Sequence, residues 1–517
     1  MLSYRDNVAF QNEHGTIKRT LPRVAVPTNL DDNGQTPAQQ PWKAGLAALR
    51  KLVQEARTAG TSLTPLGSAW SLSPAHDPTG WLVETKFLNE IPAIGLAAPH
   101  VEPGYAGDPA GLLFAQCGNT VARLHLELAR KGRSLRTSGA SCGQTIAGAT
   151  ATGTHGSAFD VGALHDTIVG LHVVGEDGRV FWIERKSRPV VSQAFATLVE
   201  AQLRRESDDL FNAAVVSFGA FGLIHAVLVE TDPLFLLKRY RQRVPLDEVM
   251  DGIAWSPGGG LVFPAQALPR GRDQLFHFDL LINPNDVAKK GAIVQTIYRS
   301  GTVADYHYDD QAAKNLGKGD DVLGVVSHLI ETLQAFTNPE VQATIKKLEK
   351  QRYPDTGMTP EVGVLGELFP RVEFRSGGDS IEIGVDVRNA KAALEACLHV
   401  VRQPLVAYPG LMGVRFVKGS AATLAFTRFP MTCTIELPSV RTKKTPKLYA
   451  RIFDRLRAKK IPFTQHWGQT GEYTEPRVRQ MHGDAAVDAW RAQRAAFLGP
   501  TGAARFRSTL VHGANLG

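Results

Sequence analysis

The chain has 517 residues, of which 43% are hydrophobic and 21% are charged, as in ordinary globular proteins. This length predicts two domains, because a single core rarely grows so large. Lysine and arginine exceed aspartate and glutamate by 58 to 50, spread along the chain, which argues weakly for an anionic ligand and hardly at all for nucleic acid as a partner.

The four cysteines show neither the spacing of a zinc site nor that of a disulfide framework, and they suit a reducing cytoplasm. No uncharged run reaches the ~18 residues of a membrane span, and the polar N-terminus does not resemble a secretion signal. We therefore expect a cytoplasmic protein with no metal site and no membrane insertion.

The first 40 residues carry three prolines and a polar stretch, which predicts an extended lead-in. A helix is predicted from Trp42 to Ala59, where apolar residues recur at helical spacing before Gly60. A short strand then breaks into a turn of small residues, Pro65 to Ser71. Free backbone donors at such a turn suit a phosphate, although the pattern also fits an ordinary turn.

A stretch of small residues follows two further strands and a helix that ends at Gly132. From Ser138 to Ser157 it holds five glycines, four alanines and one large aliphatic side chain, Ile146. Small residues are needed where a backbone passes close to a flat, bulky ligand. A flexible linker is the alternative interpretation.

The next segments indicate a change of architecture. Asp177-Gly178 lies between two β-rich runs and predicts a hairpin, and glycines at 219 and 222 make a third small-residue loop. From about residue 235, strands alternate with helices. We expect an α+β layer of antiparallel strands covered by helices, including strands at 379–387 and 423–429.

Fingerprints of common nucleotide-binding folds are missing. No P-loop is present, neither Gly67 nor Gly148 opens a G-x-G-x-x-G, and no H-E-x-x-H occurs. The three small-residue loops, around residues 67, 148 and 219, then imply one long ligand with a diphosphate and a flat ring system.

Four motifs resemble a known family when taken in order. They are the Gly-Ser-x-x-Ser loop at residues 67–71, the run GQTIAGATATGTHGSA from Gly143, the strand TIVGLHVV from Thr167, and FGAFGLI from Phe218. Together they resemble the FAD-binding domain, of the PCMH type, in the vanillyl-alcohol-oxidase superfamily. The similarity covers about residues 20–235 and is strongest to the branch of sugar-lactone, alditol and flavin-dependent cholesterol oxidases.

This resemblance implies the domain organisation and the cofactor contacts. It implies an α+β fold with a two-part FAD domain over 1–235, a substrate domain over 236–455, and a C-terminal segment, 456–517, that returns to the active site. The implied contacts are Gly67, Ser68 and Ser71 at the pyrophosphate, Gly148, Thr152, Gly153, His155 and Gly156 along the flavin and ribityl chain, and Ile168, Val169, Gly222 and Ile224 at the remaining FAD groups.

The chain departs from the family pattern at three places. Trp70 stands where many members carry a histidine bonded to the flavin, and Cys142 is one residue out of register with a cysteine that binds flavin in some relatives. We therefore expect non-covalent FAD. His466-Trp467-Gly468 resembles the H-W-G-K of lactone and alditol oxidases, but Gln469 replaces the lysine, so a polyol or lactone substrate is not carried over directly.

Members of this branch also share a Glu-x-Arg on a strand that faces the flavin. The candidate here is Glu373-Phe374-Arg375, since strand alternation places both charged side chains on one face. Arg375 would stabilise the negative charge of reduced flavin, and Glu373 or His466 would take the hydroxyl proton. Glu382 is the rival for this role, and an exposed ion pair is the structural alternative for the motif.

The resemblance implies an FAD-dependent oxidase that oxidises the CH–OH group of a small-molecule alcohol by hydride transfer to flavin N5, with O2 reduced to H2O2. Ala147 and Gly148 are small enough to leave oxygen a path to the ring. The alternatives are a dehydrogenase that uses another acceptor and a flavin-binding protein without turnover. The sequence leaves the substrate and the oligomeric state open.

Overall fold

The computed structural model describes residues 1–301, 306, 338–370, 377–403, 406 and 408–517. Within these residues the strands form three large sheets and one small hairpin. One hydrophobic core holds mainly residues before 238 together with the C-terminal helices. A second core holds mainly residues between 240 and 463.

The first sheet is built by the N-terminal part of the chain. Its strands are β1 (Leu2–Gln11), β2 (Lys18–Pro27), β3 (Leu63–Leu66) and β4 (Trp81–Glu84), in the order β1-β2-β4-β3. The expected extended lead-in is thus an antiparallel hairpin of β1 and β2. The helix Pro41–Thr58 follows, and it buries Leu46, Leu49 and Val53 on one face, as the spacing predicts.

The second sheet completes the first core. Its strands are β5 (Leu112–Gln116), β6 (Arg133–Leu135), β7 (Ile168–Val174), β8 (Val180–Ile183), β9 (Gln202–Arg204) and β10 (Leu223–Pro233). The order is β5-β10-β7-β8-β9, with β6 also paired to β10. The predicted hairpin is present as β7 and β8, and Gly178 has the positive φ (78°) that its turn requires. Helices lie at Val121–Ala129, Ile146–Ala151, Gln193–Leu198 and Asp208–Ala214.

The third sheet is antiparallel throughout its described strands. These are β11 (Leu236–Val244), β14 (Leu275–Ile282), β15 (Ala292–Ser300), β16 (Glu361–Gly363), β17 (Gly378–Asp386), β18 (Met412–Lys418), β19 (Met431–Val440) and β20 (Thr464–Gln465). Their order is β16-β11-β15-β14-β18-β19-β17-β20, and the small hairpin is β12 (Ala254–Ser256) with β13 (Gly260–Val262). Three central strands, β18, β19 and β17, carry the charged residues described below.

Helices cover this third sheet, which confirms the expected α+β layer. They lie at Leu246–Gly252, Val287–Lys290, Asn338–Arg352, Leu365–Leu368, Ala390–Val401 and Thr445–Ala458. The predicted strand at 423–429 is wrong, because this segment is a loop. Its Leu424 carbonyl accepts a hydrogen bond from the Trp467 indole at 2.7 Å, so its backbone is engaged by a side chain rather than by a neighbouring strand.

The C-terminal segment packs back on the first core. Its helices are Glu475–His482, Asp484–Arg505, which is kinked at Gly499, and Thr509–Gly513. The buried Trp490 indole donates to the Val216 carbonyl at 3.4 Å, and the buried Arg494 guanidinium donates to the Ala220 carbonyl at 2.9 Å. Two side chains of this segment therefore hold the backbone just before β10, about 270 residues earlier.

Candidate active site

The three small-residue loops meet around one cavity of about 790 Å³, which we call the groove. Two glycines let them approach so closely. A Cβ at Gly67 would overlap the Thr145 hydroxyl, and one at Gly219, whose φ is 75°, would overlap the Pro65 ring. Predicted cofactor residues in the groove wall are Gly67, Ser68, Ser71, Gly148, Thr152, Gly222 and Ile224.

Other predicted cofactor residues lie elsewhere. Ile168 and Val169 are buried in β7, within the core and outside the wall of the groove. Gly153 and Gly156 lie in the chain segment that follows the groove residue Thr152. A Cβ at Gly156 would overlap the Ser138 carbonyl. His155 lies in the wall of the neighbouring cavity.

The groove wall contains polar atoms that suit a polar ligand. His76 Nε2 and Gln144 Oε1 are buried without a hydrogen-bond partner among the described residues. Burial lowers the pKa of His76 to about 4, so its ring is neutral near pH 7. Buried polar atoms normally have a partner, and a ligand with both donors and acceptors would supply one here. A dinucleotide with phosphates and a polar ring system fits this requirement.

A second cavity of about 720 Å³, which we call the polar pocket, adjoins the groove. The two cavities share Trp70, Ser71, Gln144 and Thr152 in their walls. The polar pocket is otherwise lined by side chains of the third sheet and by residues near positions 14, 72, 140, 155 and 467. Those with titratable or amide groups are His14, His155, Glu382, Arg415, Glu436, His466 and Gln469.

Arg415 and two glutamates form the charged centre of the polar pocket. Arg415 Nη1 lies 2.8 Å from Glu436 Oε2 and 3.3 Å from Glu382 Oε1. Glu382 on β17 pairs directly with Glu436 on β19, and Glu436 pairs with Gly413 on β18. Because residues paired across antiparallel strands project to the same face, this register places all the charges on one face of the sheet.

Burial makes these charges depend on one another. Burial would by itself lower the pKa of Arg415, but Glu436 and Glu382 raise it above its usual range. Burial would raise the pKa of Glu382, but His155 and Arg415 hold it far below the usual value. For Glu436 burial dominates, opposed by Arg415 and reinforced by Glu382, so its pKa is raised. Glu436 is therefore the stronger base of the two carboxylates.

The hydrogen bonds of two histidines indicate their protonation. His466 Nδ1 accepts the Gly468 backbone N–H at 3.0 Å, and burial lowers the pKa of this histidine to about 4. The neutral ring therefore carries its proton on Nε2 and can donate there. His155 Nδ1 lies 3.0 Å from the Gly156 carbonyl, and its Nε2 lies 3.2 Å from Glu382 Oε1. Both nitrogens of His155 thus face oxygen acceptors.

Gln469 joins the two glutamates. Its Nε2 lies 3.4 Å from Glu382 Oε2 and 3.3 Å from Glu436 Oε1, while its Oε1 is buried without a partner among the described residues. The glutamine therefore contacts both carboxylates without adding a charge, in the place where the related motif has a lysine.

His155, Glu382 and His466 also have the spacing of a metal site, with one ligand atom of each within 4.8 Å of the others. The Arg415 guanidinium, however, lies 3.3 Å from the same Glu382 oxygen that faces His155. A metal ion bound there would meet this fixed positive charge. We therefore interpret the three residues as part of the hydrogen-bonded cluster.

The predicted catalytic residues have different outcomes. Glu373 and Arg375 lie outside the described residues. His466 and the rival Glu382 both lie in the polar pocket. Sequence reasoning missed Arg415 and Glu436. Glu436 is the single charged residue of β19, and Arg415 lies between apolar residues within β18, and a charge inside such a strand can signal a buried functional side chain.

Residues near the expected sites of covalent attachment are also located. Trp70 lines both cavities, and a Cβ at Gly143 would overlap its ring, so the indole lies against the small-residue stretch. Cys142 is buried and its thiol donates to the Phe369 carbonyl at 2.8 Å, and it lines neither cavity. Among the described residues, no helix combines the length and apolar character that a membrane span requires.

Comparisons with known proteins identify similar sequences and folds. Residues 45–184 match the family described as FAD binding domain. The L-gulono-1,4-lactone dehydrogenase of Mycobacterium tuberculosis is 28% identical over 213 residues, 40% of this chain and 42% of the relative. The D-arabinono-1,4-lactone oxidase of Saccharomyces cerevisiae is 23% identical over 249 residues, 48% and 39% of the two chains. This chain thus matches less than half the length of these relatives.

Solved structures extend the similarity to the whole fold. The cholesterol oxidase of B. sterolicum superposes with a TM-score of 0.68 at 13% identity, covering 99% of this chain and 97% of that one. A solvent-stable cholesterol oxidase gives 0.67 at 14% identity, covering 99% and 98%. At such low identity the likeness concerns the fold alone.

Proposed function

We propose that this chain, whose residues 45–184 match the FAD binding domain family, is an FAD-dependent oxidoreductase of the vanillyl-alcohol-oxidase family that oxidises the CH–OH group of a polar small molecule. The observation that supports this most directly is the junction of the two cavities. The groove, with its glycine-rich loops, opens at Trp70 and Thr152 onto a pocket that holds buried acid, base and cation.

The groove residues fit FAD. Backbone N–H groups and hydroxyls at Gly67, Ser68 and Ser71 would hold the pyrophosphate, and Gly148 with Thr152 would lie along the flavin end next to the polar pocket. FAD, when bound, supplies the two-electron acceptor that takes hydride from the substrate carbon. We expect the binding to be non-covalent, since Trp70 cannot form the link that a histidine forms.

The polar pocket supplies the remaining chemistry. Arg415 is a fixed, buried cation that would stabilise negative charge developing beside the pocket during the reaction. His466 would donate its Nε2–H to the substrate hydroxyl oxygen and so orient it. A carboxylate of the pair Glu382 and Glu436 would take the hydroxyl proton as the carbon–oxygen bond becomes a carbonyl.

The lining of the polar pocket favours a substrate with several hydroxyl groups. Its charged and amide side chains would need hydrogen-bonding partners that a sterol could not offer, because burying them against hydrocarbon would leave them unpaired. We therefore propose a sugar lactone or polyol, in keeping with the lactones named for the relatives.

We propose molecular oxygen as the electron acceptor, with peroxide as its product. Gly148 has no side chain, and a Cβ there would lie 3.0 Å from the Thr145 hydroxyl. At this point of the groove wall, therefore, no side chain of residue 148 blocks the approach of oxygen to the ligand. A dehydrogenase with another acceptor is the second candidate, favoured by the name of the mycobacterial relative. The four buried free cysteines support a reducing, cytoplasmic location.

One experiment tests the central proposal. Purified protein should show a flavin absorbance spectrum, and under nitrogen the flavin should be bleached by at least one of L-gulono-1,4-lactone, D-arabinono-1,4-lactone, xylitol and sorbitol. Cholesterol in detergent is the matched apolar control and should leave the spectrum unchanged. A flavin that only cholesterol bleaches would refute the proposed substrate class. A flavin that nothing bleaches would favour a binding protein without turnover.

A further inference from the structure

We propose that Glu436 is the residue that accepts the substrate's hydroxyl proton, while Glu382 and His466 position the groups around it. This inference rests on the proposed function, and it assigns a role to a residue that the sequence motifs did not indicate. Three observations lead to it: the hydrogen bond at His466, the contacts of Glu382, and the place of Glu436 opposite Gly413.

His466 is unsuited to accept the proton. Its Nδ1 lone pair is occupied by the Gly468 backbone N–H at 3.0 Å, and this bond is enforced by a two-residue turn. The other nitrogen, Nε2, then carries the ring proton and can only donate. To act as a base the ring would have to break the bond to Gly468 first. A donor at Nε2 instead suits the oxygen of a hydroxyl group that is losing its own proton.

Glu382 is also a poor acceptor, because a histidine ring, a guanidinium and an amide already contact its two oxygens. Oε1 lies 3.2 Å from His155 Nε2 and 3.3 Å from Arg415 Nη1, and Oε2 lies 3.4 Å from Gln469 Nε2. A carboxylate held in this way is stabilised in its charged form and gains little from a proton. Its evident task is to hold His155 and Arg415 in place.

Glu436 meets the requirements for the base. Its Oε2 contacts Arg415, and among the described residues the hydrogen-bond partner of its Oε1 is the Gln469 amide, at 3.3 Å. The residue paired with it on β18 is Gly413, which contributes no side chain to the pocket face. It also stands beside the anionic Glu382, whose charge makes a proton on Glu436 more favourable. Its raised pKa agrees with this assignment.

The step is balanced. The substrate O–H bond breaks and its proton forms a bond to Glu436 Oε1, the oxygen electrons form the carbonyl, and the C–H electron pair leaves with its hydrogen as hydride to the bound FAD, which is the oxidant. The cluster gains one positive charge when Glu436 is neutralised. The hydride carries one negative charge to the FAD, and the positive charge gained by the cluster offsets it. The buried site as a whole therefore acquires no net charge.

The first test compares Glu436→Gln with Glu382→Gln by anaerobic stopped-flow reduction, using whichever of the four polar alcohols above bleaches the wild-type flavin. We expect Glu436→Gln to slow reduction by about 10²- to 10⁴-fold, the range for loss of a general base. Its rate should no longer rise with pH, whereas Glu382→Gln should keep the pH profile. A retained pH profile in Glu436→Gln, or its loss in Glu382→Gln alone, would overturn the proposal.

The second test needs no substrate, so it separates failure of this inference from failure of the proposed function. FAD in the holoenzyme is reduced by light with EDTA, and the infrared difference spectrum is recorded in H2O and D2O. We expect a new carboxylic-acid C=O band that shifts in D2O, persists in Glu382→Gln and is lost in Glu436→Gln. If Glu436→Gln does not fold, Glu436→Asp should move the band. No new band in the wild type, or a band that disappears only in Glu382→Gln, would refute Glu436 as the acceptor.

Discussion

The guanidinium of Arg415 lies over the backbone of Gly413, two residues earlier on β18. A Cβ at Gly413 would stand 3.4 Å from both terminal nitrogens of that guanidinium. Arg415 leans back along its strand over Gly413, and it reaches Glu436 on the adjacent strand β19 and Glu382 on β17, one strand further. The distance of 3.4 Å is an ordinary van der Waals contact, so the guanidinium leaves room for a methyl group at position 413 but not for a longer side chain directed at it.

Replacement of Arg415 tests the charged centre. Arg415→Met should slow anaerobic flavin reduction by about 10²-fold, the usual effect of removing one preorganised donor. It should also lower the free energy of unfolding by about 3–5 kcal/mol, because Glu382 and Glu436 would remain buried without their cation. Urea denaturation and stopped-flow reduction measure the two effects.

The matched control is Arg388→Met. Arg388 pairs with Asp386 just after β17, but its side chain is 65% exposed. An ion pair whose cation is exposed to solvent contributes little to stability, so this variant should keep the wild-type rate and nearly all the stability. Equal losses in both variants would mean that the Arg415 cluster has no special role.

Gly67→Ala tests the groove. The added Cβ would overlap the Thr145 hydroxyl, so the first and second loops would have to separate. We expect the ratio of bound FAD to protein, measured by absorbance after gel filtration, to fall at least about tenfold, the effect of roughly 1.4 kcal/mol. Gly95→Ala is the control, since nothing lies within 4 Å of its Cβ position, and it should retain full FAD content.

Acid precipitation tests the form of the FAD attachment. Trp70 occupies the position of the attachment histidine and Cys142 bonds to the Phe369 carbonyl, so we expect all flavin to appear in the supernatant. The absorbance of pellet and supernatant measures the division. A pellet that stays yellow after washing would show a covalent bond.

Reoxidation tests the electron acceptor. Mixing reduced enzyme with aerated buffer should restore the oxidised spectrum faster than it does for free reduced flavin, with one peroxide formed per flavin. Gly148→Val should slow this step, because its side chain would block the approach of oxygen at this point of the groove wall. Reoxidation at the rate of free flavin in the wild type would favour the dehydrogenase.

The buried His482 predicts how the free energy of unfolding depends on pH. Burial, with a smaller effect of Arg428, lowers its pKa to about 3, whereas the unfolded chain binds this proton near 6.5. As the pH falls below 6.5 the unfolded state gains a proton that the folded state does not, so the free energy of unfolding decreases. His482→Phe removes this titration and keeps the stacking on Trp467, whose ring is 5.4 Å away.

The variant should therefore lose less stability than the wild type between pH 7 and pH 5, by about 2 kcal/mol for a shift of this size. Urea denaturation at both pH values measures the difference. His512→Phe, at an exposed position, is the control and should behave as the wild type does. An unchanged pH dependence in His482→Phe would show that His482 is already protonated in the folded state.

The sequence predicted the parts of the site that are local in the chain. The loops at Gly67, Gly148 and Gly219 were recognisable because close backbone approach requires small residues wherever it occurs. Arg415 and Glu436 were not recognised, because their meeting depends on the register of β17, β18 and β19, which pairs Glu382 with Glu436, 54 positions later in the chain. His14 was missed for the same reason, since the β1–β2 hairpin carries it into the polar pocket.

The bonds from Trp490 and Arg494 to the backbone at Val216 and Ala220 set the order of events during synthesis. A ribosome-bound chain that has grown only to the end of β10 contains every glycine-rich loop, yet the third loop lacks the two side chains that fix it. We therefore expect the nascent N-terminal half to hold flavin weakly, and we expect tight binding only after the helix Asp484–Arg505 has left the exit tunnel and docked.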